Sequence, residues 1–577
     1  MVKPVNPALG RKSQYRRLRL ADRKWRQKHH RIKIHRITAE TVNHSRFELS
    51  PTTAFAAAAL SAALLFLSFQ LNNSSWPLAF IALIPLLAGA AACQSPRTAA
   101  GLGLLSGFFF FYIELYWITN SIAGFTSLPT LVVILVMALL ALYMSLYVAI
   151  FCGLWHYLNH LNALESAYGK IISTLAGAAI WLLLEDFRGW FLGGFPWHPL
   201  GLTQIDNQFV SWLLPLGGVR LLSSLVIFGN LAIYLTGRAL FRKRLRAVML
   251  YCGLLLLPLI GLALIGSGSD NLPTLKSQIT NPADPEPSRS RIAVIQPNIL
   301  QKEKWRPENR DKIIEKMLLL SRKSLADNPD LIIWPEAALP LLLENEPEIF
   351  NRLHRFVTEN QVSLMLGSPR LIRQENGSGK TLFNSIFLIS PVQRLQIYNK
   401  VKLVPYGEFT PMASLFPFIS KIVPGLSYSP GDKILNFNLK QLKIAPSVCF
   451  EGVFPAFSAG FFAAGANLLI NLTNDAWFGD SPGPRQHLAN IRLRALENNC
   501  TIVRCANTGI SAIINPAGKI EQYLPLNQEG ILSAEIACRH QPPTFFASHR
   551  FLPTYLAGLY LLLTSAFIFY RRSGYRT

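Results

Sequence analysis

Apolar residues follow two different rhythms along this chain. Up to about residue 266, and again near the C-terminus, they form runs long enough to cross a bilayer, which takes about 20 residues. These runs lie near 51–69, 77–94, 99–119, 128–150, 169–187, 219–236, 247–266 and 551–570. The fifth ends in Glu185-Asp186-Phe187-Arg188 and is the least regular. Between the seventh and the eighth the period shortens. Strand-like runs appear at 292–295, 331–334, 362–366, 385–389, 444–449, 467–471 and 511–514, with helical patterns at about 307–326, 346–359 and 484–499. Such alternation predicts an α/β domain inserted between membrane segments. A stretch rich in Ser, Asn, Asp and Pro, including Asn281-Pro282-Ala283-Asp284-Pro285-Glu286-Pro287, reads as the linker into it.

The domain plan is therefore a tail over 1–48, seven membrane helices over 49–266, a linker over 267–290 and an α/β domain over 291–540. An eighth membrane helix over 551–570 and a short tail over 571–577 complete it.

Composition agrees with a membrane protein. Half of the 577 residues are hydrophobic and only 15% are charged, against about 25% charged in a soluble globule. The formal charge of +24 is unevenly placed. From Met1 to Arg46 the basic residues include Arg11, Lys12, Arg16, Arg17, Arg19, Arg23, Lys24, Arg26, Lys28, Arg31, Lys33 and Arg36, with Asp22 and Glu40 as the sparse acids. A basic arm of this kind suits nucleic acid in isolation. A long apolar run follows at once, so it reads instead as a cytoplasmic anchor beside anionic lipid. It is too long and too charged for a cleavable signal peptide, and no small-residue cleavage site is evident. No nucleic-acid partner is expected.

Loop charges set the orientation. Segments 70–76 and 119–127 carry no charge, whereas the alternate loops carry Arg97, Lys170 and the cluster Arg238, Arg242, Lys243, Arg244 and Arg246. Basic loops stay in the cytoplasm. Both termini, including Arg571-Arg572, are expected inside and residues 267–550 outside, facing the periplasm or exterior.

Seven cysteines (93, 152, 252, 449, 500, 505 and 538) show neither metal-type spacing nor a disulfide framework. Cys93, Cys152 and Cys252 lie in apolar segments, and Cys500 and Cys505 flank the strand-like run 501–504, as buried thiols or as a disulfide. An odd count leaves one thiol unpaired. Cys449 stands out, at the end of Lys443-Ile444-Ala445-Pro446-Ser447-Val448-Cys449-Phe450-Glu451.

Two other residues end apolar runs in the same way: Glu336 in Trp334-Pro335-Glu336 and Lys400 in Tyr398-Asn399-Lys400. Alone, each has a plain structural reading as a packed thiol, a helix N-terminal acid or a solvated lysine. Together they make a reactive set. A thiol attacks as thiolate, and a neighbouring cation favours that form. Lys400 supplies the cation and then holds the oxyanion, a contribution of about 3–4 kcal/mol to the barrier. Glu336 takes the thiol proton and returns it to the leaving group. The backbone N–H of Phe450 offers a second oxyanion donor.

Four motifs in order carry a resemblance. They are Trp334-Pro335-Glu336; Tyr398-Asn399-Lys400 with Leu403-Val404-Pro405-Tyr406-Gly407-Glu408-Phe409; Val448-Cys449-Phe450-Glu451; and Asn474-Asp475-Ala476-Trp477-Phe478-Gly479. The chain resembles the nitrilase (carbon–nitrogen hydrolase) superfamily and, more closely, the bacterial apolipoprotein N-acyltransferase family, over about 50–570. That resemblance implies a multi-pass helical membrane domain bearing a nitrilase-like α-β-β-α sandwich. It implies a triad of Glu336, Lys400 and Cys449, supporting acids Glu408 and Glu451, and a tryptophan matched by Trp305. The family often has Tyr after the nucleophile, where this chain has Phe450.

The resemblance also implies the reaction. Cys449 would take an acyl chain from the sn-1 ester of a phospholipid as a thioester, and the N-terminal amine of a diacylglyceryl-cysteine lipoprotein would receive it. Phospholipid, diacylated prolipoprotein and membrane lipid are the expected partners, for a monomer without cofactor or metal. A membrane-anchored amidase with the same triad and water as acceptor is the alternative. A receptor with a degenerate catalytic domain is a second one.

Several other residues have two readings. Gly193-Gly194-Phe195-Pro196-Trp197 reads as a lipid-binding lip under the site or as an interfacial aromatic belt. Trp477 and Phe478 read as substrate contacts or as domain core. His487 opens a helical stretch, which favours a structural role over a Cys–His pair. His29, His30 and His35 lack acidic or Cys partners for a metal site.

Overall fold

The computed structural model describes residues 50–70, 74–126, 128–254, 288–373, 380–410 and 427–573. The basic tail, nearly all of the linker and the second half of the expected seventh span lie outside the described residues.

The described helices before the inserted α/β domain include α1 (Pro51–Ser68), α2 (Ile84–Ala92), α3 (Pro96–Glu114), α4 (Ile118–Phe125), α5 (Thr130–Asn159), α6 (Ala167–Arg188) and α7 (Leu214–Phe241). Helix starts follow local chemistry. Ser50 caps α1 by accepting the Thr53 N–H at 3.1 Å, with Pro51 at the first helical position. Ser95 and Thr98 form a reciprocal capping box on α3.

Among the described residues, five helices are long and apolar enough to cross a membrane: α1, α5, α6, α7 and a C-terminal helix that follows the catalytic domain. Together α3 and α4 form a sixth span if counted as one, although they bend by 59°. The eight runs read from the sequence thus become five or six spans here. The second run is interrupted, with a 3-10 turn over Trp76–Phe80 and then α2, each opening on a proline, Pro77 and Pro85. Pro85 lacks the N–H that would continue a helix through it. The seventh is described only as the short apolar helix Leu245–Leu254.

The catalytic domain is two six-stranded sheets. One runs β12-β1-β2-β3-β4-β5 and the other β11-β10-β9-β8-β7-β6. The first comprises β1 (Ser288–Gln296), β2 (Leu331–Ile333), β3 (Ser363–Arg373), β4 (Lys380–Ile389), β5 (Gln396–Asn399) and β12 (Gly530–Cys538). The second comprises β6 (Phe437–Leu439), β7 (Leu442–Val448), β8 (Leu468–Thr473), β9 (Thr501–Ala506), β10 (Ser511–Ile514) and β11 (Ile520–Leu524). Each sheet has a parallel centre, β1-β2-β3 or β7-β8-β9, with antiparallel wings. Central strands such as β2 and β8 are buried throughout, as parallel strands covered on both faces require.

Ile333, Met365, Val448, Ile470 and Val503 belong to the core between the sheets. Helices α8 (Arg310–Ser324) and α9 (Pro347–Glu359) cover the first sheet through Ile313, Met317 and Leu353. On the second sheet lie α10 (Pro455–Ala463) and α11 (Gly483–Asn498). The result is the expected α-β-β-α sandwich. The C-terminal helix α12 (Leu552–Ser573) follows.

Helix α11 has no solvent face. Leu488, Ile491 and Ala495 enter the sheet core, while Ala489 and Leu493 join the core of the membrane helices. The α10/α11 layer therefore seats the sandwich on the membrane half. Arg492 pairs with Asp206 at 2.6 Å and the Val219 N–H donates to Glu497 Oε1 at 2.8 Å across that seam. A kink in α7 admits Phe546: Gly218 has φ of +67°, and a Cβ there would meet the Phe546 ring at 2.6 Å.

Candidate active site

Cys449 sits where β7 ends and a 3-10 turn, Cys449–Val453, begins. Its φ is +49°, a left-handed conformation costing roughly 1–2 kcal/mol for a residue with a Cβ. The strain is held in place. The Cys449 carbonyl accepts from Asn471 Nδ2 and faces His487 Nε2, each at 3.2 Å. Two residues on, Glu451 is fully buried. Its Oε2 accepts the Val448 N–H at 2.8 Å. Its Oε1 accepts from Val401 N at 2.6 Å, Lys402 N at 3.0 Å and Tyr398 Oη at 2.8 Å. Glu451 thus ties the cysteine turn to the loop that carries Lys400. Burial pushes its carboxyl up to about 7, while these donors and Lys400 pull the other way.

Glu336 follows β2, and β3 runs beneath it. Gly367 allows that approach, since a Cβ there would lie 2.5 Å from Ala337 N and 2.8 Å from Glu336 Cα. Lys400 directly follows β5, with its N–H on the Asn384 carbonyl at 2.8 Å. Its side chain is 1% exposed. Lys400 Nζ stands 2.8 Å from Glu408 Oε2 and 3.6 Å from Glu336 Oε1. Asn384 Nδ2 bridges the same two acids, 2.8 Å from Glu336 Oε1 and 2.9 Å from Glu408 Oε1. The second oxygen of Glu336 accepts the Asn474 N–H at 2.9 Å, and that of Glu408 the Val404 N–H at 2.9 Å. Lys304, also buried, donates to the Glu336 carbonyl at 3.0 Å.

The electrostatics follow from this packing. Burial alone would drive Lys400 neutral, but Glu408 and Glu336 outweigh it and hold the ammonium above the usual lysine range. Cys449 goes the other way. Burial and then the Glu336 charge push its thiol up, and Lys400 only partly offsets them. At neutral pH the buried thiol keeps its proton and needs a base to lose it. Burial depresses the Lys304 ammonium to about 8, against the pull of Glu336.

Five expected residues, Glu336, Lys400, Glu408, Cys449 and Glu451, come together in this centre. Phe450 points away from it. Its ring lies near-parallel to Phe195 and Trp197 and edge-on to Phe454, inside the membrane-half core. Trp305 ends the short helix Gln301–Lys304 and lines a surface cavity with Arg306, Leu341 and Leu342.

Trp197 is buried, so it is neither an exposed lip nor a belt residue. Its Nε1 and that of Trp117 both donate to Gln486 Oε1, at 3.0 and 2.8 Å. Phe478 packs edge-on against Trp117 with ring centroids 4.6 Å apart. The Trp477 carbonyl accepts from Ser121 Oγ at 2.7 Å. Cys500 and Cys505 are free thiols.

His487 approaches the nucleophile through the Cys449 carbonyl. One of its ring nitrogens, the Cys449 sulfur and an Asp475 oxygen lie within 4.8 Å of one another, a spacing that a metal ion also uses. Here Asp475 is already engaged, paired with Arg504 at 2.5 Å, accepting from Thr473 Oγ1 at 2.9 Å and facing His487 Nδ1 at 3.0 Å. A guanidinium in contact with the proposed ligand opposes a second cation.

Sequence reasoning missed Asn384, Lys304, Asn471 and Arg504. Each is a polar residue that is buried here. The available signal was a lone polar residue within an apolar run, as in Asn467-Leu468-Leu469-Ile470-Asn471, because a buried polar group must find partners.

Two family models match the chain: the apolipoprotein N-acyltransferase N-terminal domain over residues 61–232 and the carbon-nitrogen hydrolase over 291–540. Curated proteins named apolipoprotein N-acyltransferase match over most of their length. That of Geobacter metallireducens is 36% identical over 85% of this chain and 90% of its own. That of Azotobacter vinelandii is 34% identical over 89% and 95%, and that of Haemophilus influenzae 32% over 86% and 92%. Among solved structures, a nitrilase-superfamily amidase from Nesterenkonia AN1 aligns with 46% of this chain and 96% of its own, at 18% identity and a TM-score of 0.34.

Proposed function

The chain belongs to the apolipoprotein N-acyltransferase family, acyltransferases of the carbon–nitrogen hydrolase superfamily, and we propose that Cys449 carries the acyl chain between a phospholipid and a lipoprotein. Glu336 removes the thiol proton as the sulfur attacks the sn-1 ester carbonyl. Lys400 and the Phe450 N–H receive the negative oxygen of the tetrahedral intermediate. The C–O bond breaks, the Glu336 proton goes to the leaving oxygen, and lysophospholipid departs from the thioester. The neutral N-terminal amine of a diacylglyceryl-cysteine then attacks the thioester carbonyl and gives its proton to Glu336. The C–S bond breaks, and that proton returns to sulfur. Glu408 holds Lys400 throughout.

One observation carries this reading. The turn that begins at the nucleophile continues into Phe450, Val453 and Phe454, which pack in the core of the membrane helices. An acyl donor anchored in a bilayer has to bring its ester to a thiol at such a seam. The catalytic domain then faces the periplasm at the outer leaflet of the inner membrane, with both termini in the cytoplasm, as the loop charges suggest.

Intact mass after exposure to phosphatidylethanolamine vesicles alone tests the first step. The expected gain is one fatty acyl group, removable by hydroxylamine and absent in Cys449→Ala. A diacylated lipopeptide then discharges it as N-acyl product. Release of free fatty acid with no N-acyl product would make the protein a hydrolase instead.

A further inference from the structure

His487 and Asn471 face the backbone of the nucleophile. Both contact the Cys449 carbonyl at 3.2 Å, and both are fully buried, as are Asp475 and Arg504 beside them.

The network fixes which atom faces the carbonyl. A guanidinium only donates. Arg504 Nη1 donates to Asn471 Oδ1 at 3.0 Å, so the amide turns its Nδ2 toward Cys449. Arg504 Nη2 stands 2.5 Å from Asp475 Oδ2 and 3.1 Å from His487 Nδ1, and Nδ1 also lies 3.0 Å from Asp475 Oδ1. Nδ1 thus faces both a donor and an acceptor; the Cys449 carbonyl sets the tautomer, because it only accepts and so requires the ring proton on the facing Nε2. Burial and Arg504 both disfavour the imidazolium, consistent with this tautomer. The ring is clasped by Trp197 and Phe478, with centroids 5.7 and 5.9 Å away. One residue earlier, Gln486 is bonded to Trp117, Trp197 and Glu114 of the membrane half.

We propose that His487 and Asn471 are positioning residues, two donors that clamp the Cys449 carbonyl and so hold the nucleophile in its left-handed conformation with the sulfur aimed at Glu336 and Lys400. Arg504 and Asp475 orient the pair. This rests on the thioester reading above. It gives His487 a role in acylation without proton transfer to or from sulfur.

The test uses full-length protein in phosphatidylethanolamine-containing detergent micelles, with single-turnover acylation of Cys449 read by intact mass. His487→Gln puts its amide nitrogen near the position of Nε2 and keeps the clamp. His487→Asn places its amide near Nδ1, too short to reach Cys449 O. The expected result is a fall of about 10–100-fold in the acylation rate constant for His487→Asn, the scale of a small misplacement of a reacting group. The half-saturating lipid concentration should stay within about twofold, and His487→Gln within about threefold of wild type.

Asn471→Asp keeps the acceptor for Arg504 but turns a donor facing Cys449 O into an acceptor. It should show the same rate defect, and it decides the matter if His487→Asn does not fold. Wild-type rate in a folded His487→Asn or Asn471→Asp overturns the proposal. So does an equal loss in His487→Gln, or a defect confined to lipid affinity. Cys449→Ala runs alongside. If that variant still forms N-acyl product, the thioester reading fails and the clamp with it; if it is dead while the clamp variants are normal, only the clamp fails.

Discussion

Phe450 and Trp197 face each other with ring planes 18° apart and centroids 6.4 Å apart. The residue after the nucleophile is therefore a packing element of the membrane seam, while its backbone remains at the reaction centre.

Phe450→Ala should then behave as a large-to-small core substitution, which removes about 3–5 kcal/mol. A clear drop in melting temperature in detergent is expected, and Phe450→Leu should recover most of it. Unchanged melting in Phe450→Ala would mean that the stack contributes little to holding the two halves together.

Glu336→Gln should separate thiol titration from catalysis. Removing a neighbouring negative charge should lower the Cys449 thiol, so iodoacetamide labels it faster at mildly alkaline pH. Acylation by phospholipid should nevertheless collapse, because the base is gone. Lys400→Met should shift the thiol the opposite way. Alkylation profiles from pH 6 to 10 on the three proteins check both directions.

Lys400→Ala leaves Glu336 and Glu408 close together around an empty position. Breaking a buried pair by removing one partner costs about 3–5 kcal/mol, and loss of the oxyanion donor slows acylation by about 10²–10³-fold or more. Restoring only charge balance, in Lys400→Met with Glu408→Gln, should recover melting temperature but not acylation. Differential scanning fluorimetry and single-turnover mass measurements read the two effects separately.

Lys304 sets a pH dependence of stability. Its ammonium is depressed to about 8 in the fold, from an ordinary value of 10.5. Between those values the unfolded chain binds more protons, so stability should rise as pH increases through that window. The full rise is about 3 kcal/mol. Melting temperatures between pH 7 and 10 should show this slope in the wild type and a flatter one in Lys304→Met. Parallel slopes would mean that Lys304 is not the group responsible.

The division between membrane runs and a domain of short strands was legible because hydrophobic run length and period are properties of the chain itself. Where reading failed, tertiary context had replaced the local pattern. The strands β5 and β6 are short edge pieces. Strand β11 is exposed through its middle, and β12 finds its partner β1 more than 200 residues away in the chain. Helix α10 is apolar on all sides because both of its faces are covered, so no amphipathic period marks it.

The residues proposed as a triad could be named from sequence because carboxylate, ammonium and thiol each close an apolar run. What holds them could not. Glu451 reaches back to the Lys400 loop, Asn384 bridges two acids, and the donors on the Cys449 carbonyl come from β8 and α11. Residue types capable of the chemistry are written along the chain, but hydrogen bonds between distant segments exist only once two sheets and a helical layer have closed around them.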